Sequence, residues 1–535
     1  MFWLAAGMLS LSIVLGGGTH SGFLSDALLQ LTSIPVLLIA LSRLAAIKRA
    51  DAKAFRHIRP GLLFAAAIAL VPLIQLVPLP PALWTLLPGH APIAAAYEAL
   101  QRSPGWLPIS VSPDATMLSA LALLPPFAVL FCLMLLDYRE RRLLSLLFVA
   151  LGVVSSFLGL LQISQGPASP LRFFAVTNAA DAVGFFANKN HFAALLYAAL
   201  PFAAAFALDS GPAARLGRKR NWVEAGPVLP VTLSLLAIVV LIAAEAMARS
   251  RAAMALTMVC LLGICALALA GRRRSLKQTP AGLILIAAGI AMVLVLQFGL
   301  YRVMQTLAAD PLQDSRWVFL RNTVAAAKAY MPFGAGMGTF IPVYAMFEKP
   351  ADLFAQYINH AHNDFAELWL ESGVFGIGLL GAFLLWFVVR AAKIWRGLQL
   401  GGSGDLDRLL ARAATLVIAL LLLHSLVDYP LRTAAIMAVV AFACGLMLEP
   451  VTVAVRAAVR TTPTERAGSA ARTPELPAAA AALARRPPST TVVTPSPTKP
   501  ARRWGEGVDW PAAWREPSAG SSGKKPGPQD KPGGK

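Results

Sequence analysis

The sequence predicts an all-α polytopic membrane protein of about twelve transmembrane helices. Of its 535 residues, 57% are hydrophobic and only 14% charged. Apolar runs long enough to cross a bilayer recur with short polar breaks between them. None alternates polar and apolar residues as a barrel strand would, and a spanning segment without that option satisfies its backbone by forming a helix.

In chain order the expected spans lie near 1–18, 23–42, 61–79, 116–136, 143–163, 191–209, 228–247, 252–270, 281–299, 373–390, 412–428 and 431–448. They form one transmembrane domain over 1–449, followed by a tail over 450–535. Prolines such as those of "LLPPF" kink a membrane helix without excluding it. The first run starts at Met1 with no Lys or Arg before Arg43, which reads as a retained anchor.

Orientation follows from Lys and Arg. The loops near 43–59, 137–142, 211–221, 271–277 and 390–412 hold 6, 3, 4, 4 and 5 of them, so the positive-inside rule puts these loops and both termini in the cytoplasm. The net charge of +20 sits on those loops and on the tail, where anionic lipids of the inner leaflet are the nearer partner and nucleic acid is not called for. Cys132, Cys260, Cys265 and Cys444 all fall within spans and read as small hydrophobes. The tail carries 14 Lys or Arg against 6 Asp or Glu and is rich in Pro and Ala, so it is expected to be disordered.

Two outer segments exceed what a connection needs, about 164–190 and about 300–372. In the second, "DSRWVFLRNTVAAAKAY" has helical apolar spacing and "MPFGAGMGTF" ends it, so short helices are expected over the mouth of the bundle.

The chemistry concentrates at these borders. Read as a helix, "AHNDFAELWLES" puts Asn363, Glu367 and Glu371 on one face, with His360 and His362 at or just before its N-terminus. There the dipole favours a neutral imidazole able to take a proton from a hydroxyl. Solvated or capping histidines are the plainer alternative. A metal site at His360, His362 and Asp364 lacks a further ligand, because His57, His20 and His90 fall in other loops and only His191 and His424 end spans on the same side.

Arg249 and Arg251, in "MARSRAAM", stand in a tight outer turn where a guanidinium fork suits phosphate oxygens, or snorkels to headgroups. Arg316 and Arg321 lie on the outer helix, with Arg302 before it, and face either an anion or water. Asn188 and Asn190, around Lys189, either cap a helix or hydrogen-bond sugar hydroxyls. Asn363, Asp364 and Glu367 are further candidates for contacts to a glycan or an acceptor.

The ordered motifs "FFANKNHFA", "SRAA", "SRWVFLRNTVAAAKAYMPFGAGMGTFIPVY", "HAHNDFAELWLESGVFG" and "HSLVDYPLR" resemble the O-antigen ligase family, which also holds Wzy-type polysaccharide polymerases. The resemblance runs over about 150–445. It implies a GT-C-like glycosyltransferase of the cell inner membrane, inverting and acting at the periplasmic face with no cofactor and no metal. Such enzymes move a glycan from undecaprenyl diphosphate to lipid A-core or to a growing glycan. By the same resemblance His362 positions or deprotonates the acceptor, with His360 a second candidate, and Arg251 and Arg316 hold the diphosphate. Lys189 stands where many relatives have proline. A polytopic transporter or flippase of a lipid-linked or anionic substrate is the rival class, though transporters gather polar groups at the midplane rather than at one border.

Overall fold

A computed structural model describes residues 1–450 apart from 20–21, 51, 176, 210–227, 271–288, 290–314, 354–357 and 398–404. The tail beyond 450 and, Gly289 apart, the span expected at 281–299 lie outside the described residues, as does Arg302.

The described chain is mostly helix. In order it forms α1 (Phe2–Leu15), α2 (Leu24–Ala50), α3 (Ala52–Gln75), short α4 (Pro81–Trp84) and α5 (Ala91–Ala99), then α6 (Pro113–Leu121) and α7 (Leu124–Leu135). There follow α8 (Tyr138–Ser164), α9 (Lys189–Asp209), α10 (Val228–Ala248), α11 (Arg251–Ala270), α12 (Ser315–Ala329) and α13 (Phe340–Phe347). The last three are α14 (Asp364–Trp395), α15 (Asp405–His424) and α16 (Ala434–Met447). Among the described residues, eight stretches are long and apolar enough to cross a membrane, with Pro113–Leu135 counting as one; α1 and α16 are apolar but shorter.

The described helices lie near the expected spans, but α1, α15 and α16 are not among the eight, and two boundaries differ in a way that shapes the site. Residues 78–79, expected to end a span, instead form β1 (Pro78–Leu79) and pair antiparallel with β2 (Leu107–Pro108). The 80–112 segment, which carries no long apolar run, therefore adds α4, α5 and a small ladder to the same end of the bundle. At 364–395, the helix begins nine residues before the expected span near 373 and so carries the polar motif on its own first turns.

α9 is the axis of one half, packed against α8, α10, α11 and α15. α7 serves the other half, against α1, α2 and α16. α9 is buried along nearly its whole length because small residues, as in "AALPFAAAFA", let neighbours approach closely. α15 runs from Asp407, bound to Arg142 of α8 at 2.7 Å, to His424 at the opposite end. That opposite end collects the polar chemistry.

α14 is broken at Gly373, whose backbone sits at φ 57°, ψ −141°. A Cβ there would lie 2.0 Å from the Pro332 carbonyl oxygen, so only glycine fits. The next amide, Val374, donates to that same oxygen at 2.9 Å. The loop after α12 thereby grips α14 between its polar first turns and its apolar remainder.

Candidate active site

Asn363 caps α14: its side-chain oxygen accepts from the Ala366 amide at 2.9 Å, and its Nδ2 donates to the Leu426 carbonyl at 2.8 Å. His362, just before it, is held at φ 51°, a left-handed backbone uncommon outside glycine. The constraint comes from both sides, since the Ala361 amide donates to Glu367 Oε2 at 2.9 Å and the Asp364 amide to the Ser425 carbonyl at 2.9 Å. The reversal sends two histidines two positions apart to different partners.

His362 turns to the 424–433 connection between α15 and α16. Its Nδ1 donates to Asp428 Oδ1 at 3.1 Å, which leaves Nε2 as the lone-pair nitrogen, with no protein partner among the described residues. Asp428 is fully buried, yet it is well supplied with donors: its own following amide at 3.0 Å and Asn190 Nδ2 at 2.5 Å. Burial alone would raise its pKa, but the hydrogen bond from His362 and the surrounding His191, His362 and His424 hold it well below the usual carboxylate range. His424, whose Nδ1 meets Tyr197 Oη at 2.8 Å, brings Nε2 within 3.8 Å of Asp428 Oδ2.

His360 is bound quite differently. Nδ1 faces Glu367 Oε1 at 2.8 Å and Nε2 faces the Thr19 carbonyl at 3.2 Å, so both nitrogens meet acceptors and the ring donates from both. Burial pulls its pKa down, and the Glu367 carboxylate overrides that and leaves it raised. Glu367 also pairs with Arg432 Nε at 3.5 Å. The same guanidinium reaches Glu371 Oε2 at 2.6 Å and Asp364 Oδ1 at 3.5 Å. Burial opposes charge on Arg432, but these three carboxylates raise its pKa above the free value.

Tyr429 separates the two arrangements. Its ring centroid lies 4.3 Å from that of His360, 4.9 Å from His362 and 4.9 Å from His191. Its hydroxyl accepts from Asn188 Nδ2 at 3.3 Å and Asn359 Nδ2 at 3.4 Å, and burial pushes its pKa up to about 12.

Of the expected site residues, His362, Asn188 and Asn190 therefore converge on Asp428 and Tyr429. Asp364 and Glu367 are spent on Ser425, Arg432 and His360, and Asn363 on its cap. His360, His362 and Asp364 thus point to separate partners rather than to one point.

The arginines divide similarly. Arg249 pairs with Asp181 at 2.5 Å, and Lys189 holds the other oxygen of that carboxylate at 2.9 Å. Arg321 pairs with Asp352 at 2.6 Å near the surface. Arg316 is one helical turn before Phe319, whose ring lies 5.9 Å from that of His362. Arg251 opens α11 with an exposed side chain and has no hydrogen bond or ion pair among the described residues. Its turn shares the His362 end: the Met247 carbonyl accepts from Ala182, in the loop that leads to Asn188 and Asn190.

Asp428 and Arg432 are the residues that motif reading passes over. Both stand in the quoted "HSLVDYPLR", but the pairing partners are more than sixty residues upstream, so no local spacing marks them. A cavity of about 500 Å³ opens beside His360 and Arg432; His362 does not line it.

Residues 236–381 match the O-antigen ligase family model, Wzy_C. The matched segment contains Arg249, Arg251, Arg316, Arg321, His360 and His362, and it agrees with the family suggested by the motifs. Asn188, Asn190, Asp428 and Arg432 lie outside it. No curated protein matches the chain as a relative.

Proposed function

We propose that this multi-pass membrane protein of the O-antigen ligase family is a glycosyltransferase that moves a glycan from undecaprenyl diphosphate to an acceptor hydroxyl at the periplasmic face of the inner membrane. The acceptor is lipid A-core in a ligase or a growing glycan in a polymerase. The observation that carries the reading is the His362–Asp428 pair. A buried, ionised carboxylate fixes the imidazole with its proton on Nδ1, and Nε2 is left without a protein partner among the described residues.

The chemistry follows from that pair. As the acceptor oxygen attacks the anomeric carbon, its proton passes to His362 Nε2, and the Asp428 carboxylate stabilises the imidazolium that forms. The bond from the anomeric carbon to the diphosphate oxygen breaks, and its electrons leave with the diphosphate. Attack opposite that leaving group inverts the anomeric centre. Fixed guanidinium groups neutralise the developing negative charge, with no metal required by the step. Arg316, on the helix whose Phe319 packs on His362, and Arg251, which has no ion pair among the described residues, are the proposed clamp. Arg249 and Arg321, each held by a carboxylate, shape the elements that carry that clamp. Asn188 and Asn190 fix Tyr429 and Asp428 and border the space for the glycan.

His360 holds a charge and offers no lone pair, so it supports the motif rather than acting as the base. Purified protein in lipid nanodiscs, given a lipid-diphosphate-linked glycan and an acceptor, tests the assignment. His362→Ala and Arg316→Ala remain folded and lose transfer. Wild-type rates in either variant remove the proposed site.

A further inference from the structure

We infer, resting on the base assignment proposed above, that His424 and Tyr197 are positioning residues of the transfer: Tyr197 fixes the tautomer of His424, and His424 steadies the carboxylate that aims His362. Tyr197, His424 and Asp428 are all fully buried. They come from three places in the chain, the middle of α9, the end of α15 and the connection that follows it.

One helix holds both ends of the arrangement. Asn190, on the first turn of α9, donates to Asp428 Oδ2 at 2.5 Å. Tyr197 stands seven residues, about two turns, further along the same face and puts its hydroxyl 2.8 Å from His424 Nδ1. His424 and Asp428 are themselves fixed one turn apart, because the Asp428 amide donates to the His424 carbonyl at 2.9 Å.

The protons can then be placed. Among the described residues the Tyr197 hydroxyl has one hydrogen-bond partner, His424 Nδ1. If Nδ1 were the donor, the phenolic O–H would be buried with no acceptor, so the O–H donates and Nδ1 is the lone-pair nitrogen. A neutral His424 therefore carries its proton on Nε2, which faces Asp428 Oδ2 at 3.8 Å and has no hydrogen bond among the described residues. That distance makes the contact a dipole against a charge rather than a hydrogen bond. The other tautomer would aim a lone pair at the same oxygen, where burial strengthens the repulsion. Tyr197 excludes it.

Asp428 is thus met on Oδ1 by His362 Nδ1 and the Tyr429 amide, and on Oδ2 by Asn190 and the N–H edge of His424. The plane of the carboxylate is set from both sides, and the direction of His362 Nε2 is set with it.

The full-length protein in lipid nanodiscs, given a lipid-diphosphate-linked glycan and an acceptor, tests this through kcat and KM. Tyr197→Phe keeps the ring and removes the hydroxyl; it is expected to lower kcat about tenfold, the worth of one buried hydrogen bond, with KM for both substrates unchanged. Gln places an amide N–H where His places Nε2 and has no tautomer to set. His424→Gln is therefore expected to keep most of kcat, His424→Leu to lose it, and Tyr197→Phe added to His424→Gln to cost nothing further. That last result would separate a positioning role from misfolding, since both proteins carry the same change at 197. With isotopic label on the histidine nitrogens, magnetic resonance should show His424 as the neutral Nε2–H form in the wild type and a gain of the Nδ1–H form in Tyr197→Phe. Wild-type kcat in Tyr197→Phe, an undiminished loss when that change is added to His424→Gln, His424→Gln as inactive as His424→Leu, or an Nδ1–H signal from His424 in the wild type overturns the inference and leaves the base assignment standing. Wild-type transfer by His362→Ala removes the base assignment, and the positioning role with it.

Discussion

Two histidine–carboxylate pairs lie on the two sides of Tyr429, and they differ in what is done with the second nitrogen. His362 gives Nδ1 to Asp428 and keeps Nε2 unengaged among the described residues, whereas His360 gives Nδ1 to Glu367 and Nε2 to the Thr19 carbonyl. The first arrangement leaves one ring nitrogen without a protein partner among the described residues; the second commits both nitrogens beside an ionic knot centred on Arg432. A carboxylate beside an imidazole therefore does not by itself mark catalysis. The partner of the opposite ring nitrogen decides.

The largest effects should come from breaking the His362 side. His362→Ala or Asp428→Asn is expected to slow transfer by about 10²–10⁴-fold, the usual worth of a positioned acid–base group, with the helical signal and thermal midpoint little changed. Single-turnover assays with the lipid-linked donor measure it. If Asp428→Asn transfers normally, the imidazole is not oriented by that carboxylate.

Breaking the other side should strike folding instead. Arg432→Met leaves Asp364, Glu367 and Glu371 buried without their shared cation, a loss of about 3–5 kcal/mol by the usual cost of stranding one half of a buried ion pair. The thermal midpoint and the yield of dispersed protein report it. A stable Arg432→Met variant with transfer abolished would make Arg432 part of the chemistry and blur the contrast between the two sides.

A pH titration sharpens the comparison further. The folded pKa of His360 lies above its free value of 6.5. The stability it contributes is therefore complete below that value and is lost as pH rises through the raised folded pKa. Wild-type stability should decline above about pH 6.5, and His360→Gln should flatten that decline while lowering stability in mild acid. Identical slopes in the two proteins would mean that His360 is not charged in the fold. The smallest effect is expected at Arg321→Ala, where the exposed pair with Asp352 should be lost with little change in stability or transfer. A loss of transfer as large as that of Arg316→Ala would move Arg321 into the clamp.

The spans were readable because a bilayer imposes length and apolarity on consecutive residues. The α12 and α13 helices over the bundle end were readable from apolar spacing and a Pro/Gly stop. What escaped was whatever depends on distant partners. Arg249 and Arg251 are two positions apart and equally suited to phosphate, yet one is neutralised by Asp181, 68 positions upstream, and the other has no such partner among the described residues. His360 and His362 read alike until Thr19, Glu367 and Asp428 are placed around them. The ladder of residues 78–79 with 107–108 was hidden because two-residue strands carry no periodicity.

The break at Gly373 divides the labour within one long helix. Its apolar length answers to the thickness of the lipid around it and can lean to match, as membrane helices do. The first nine residues, clasped by the loop through Pro332, answer only to the loops above. A thinner or thicker bilayer is thereby expected to tilt the helix beyond Gly373 and to leave the His362–Asp428 contact unchanged.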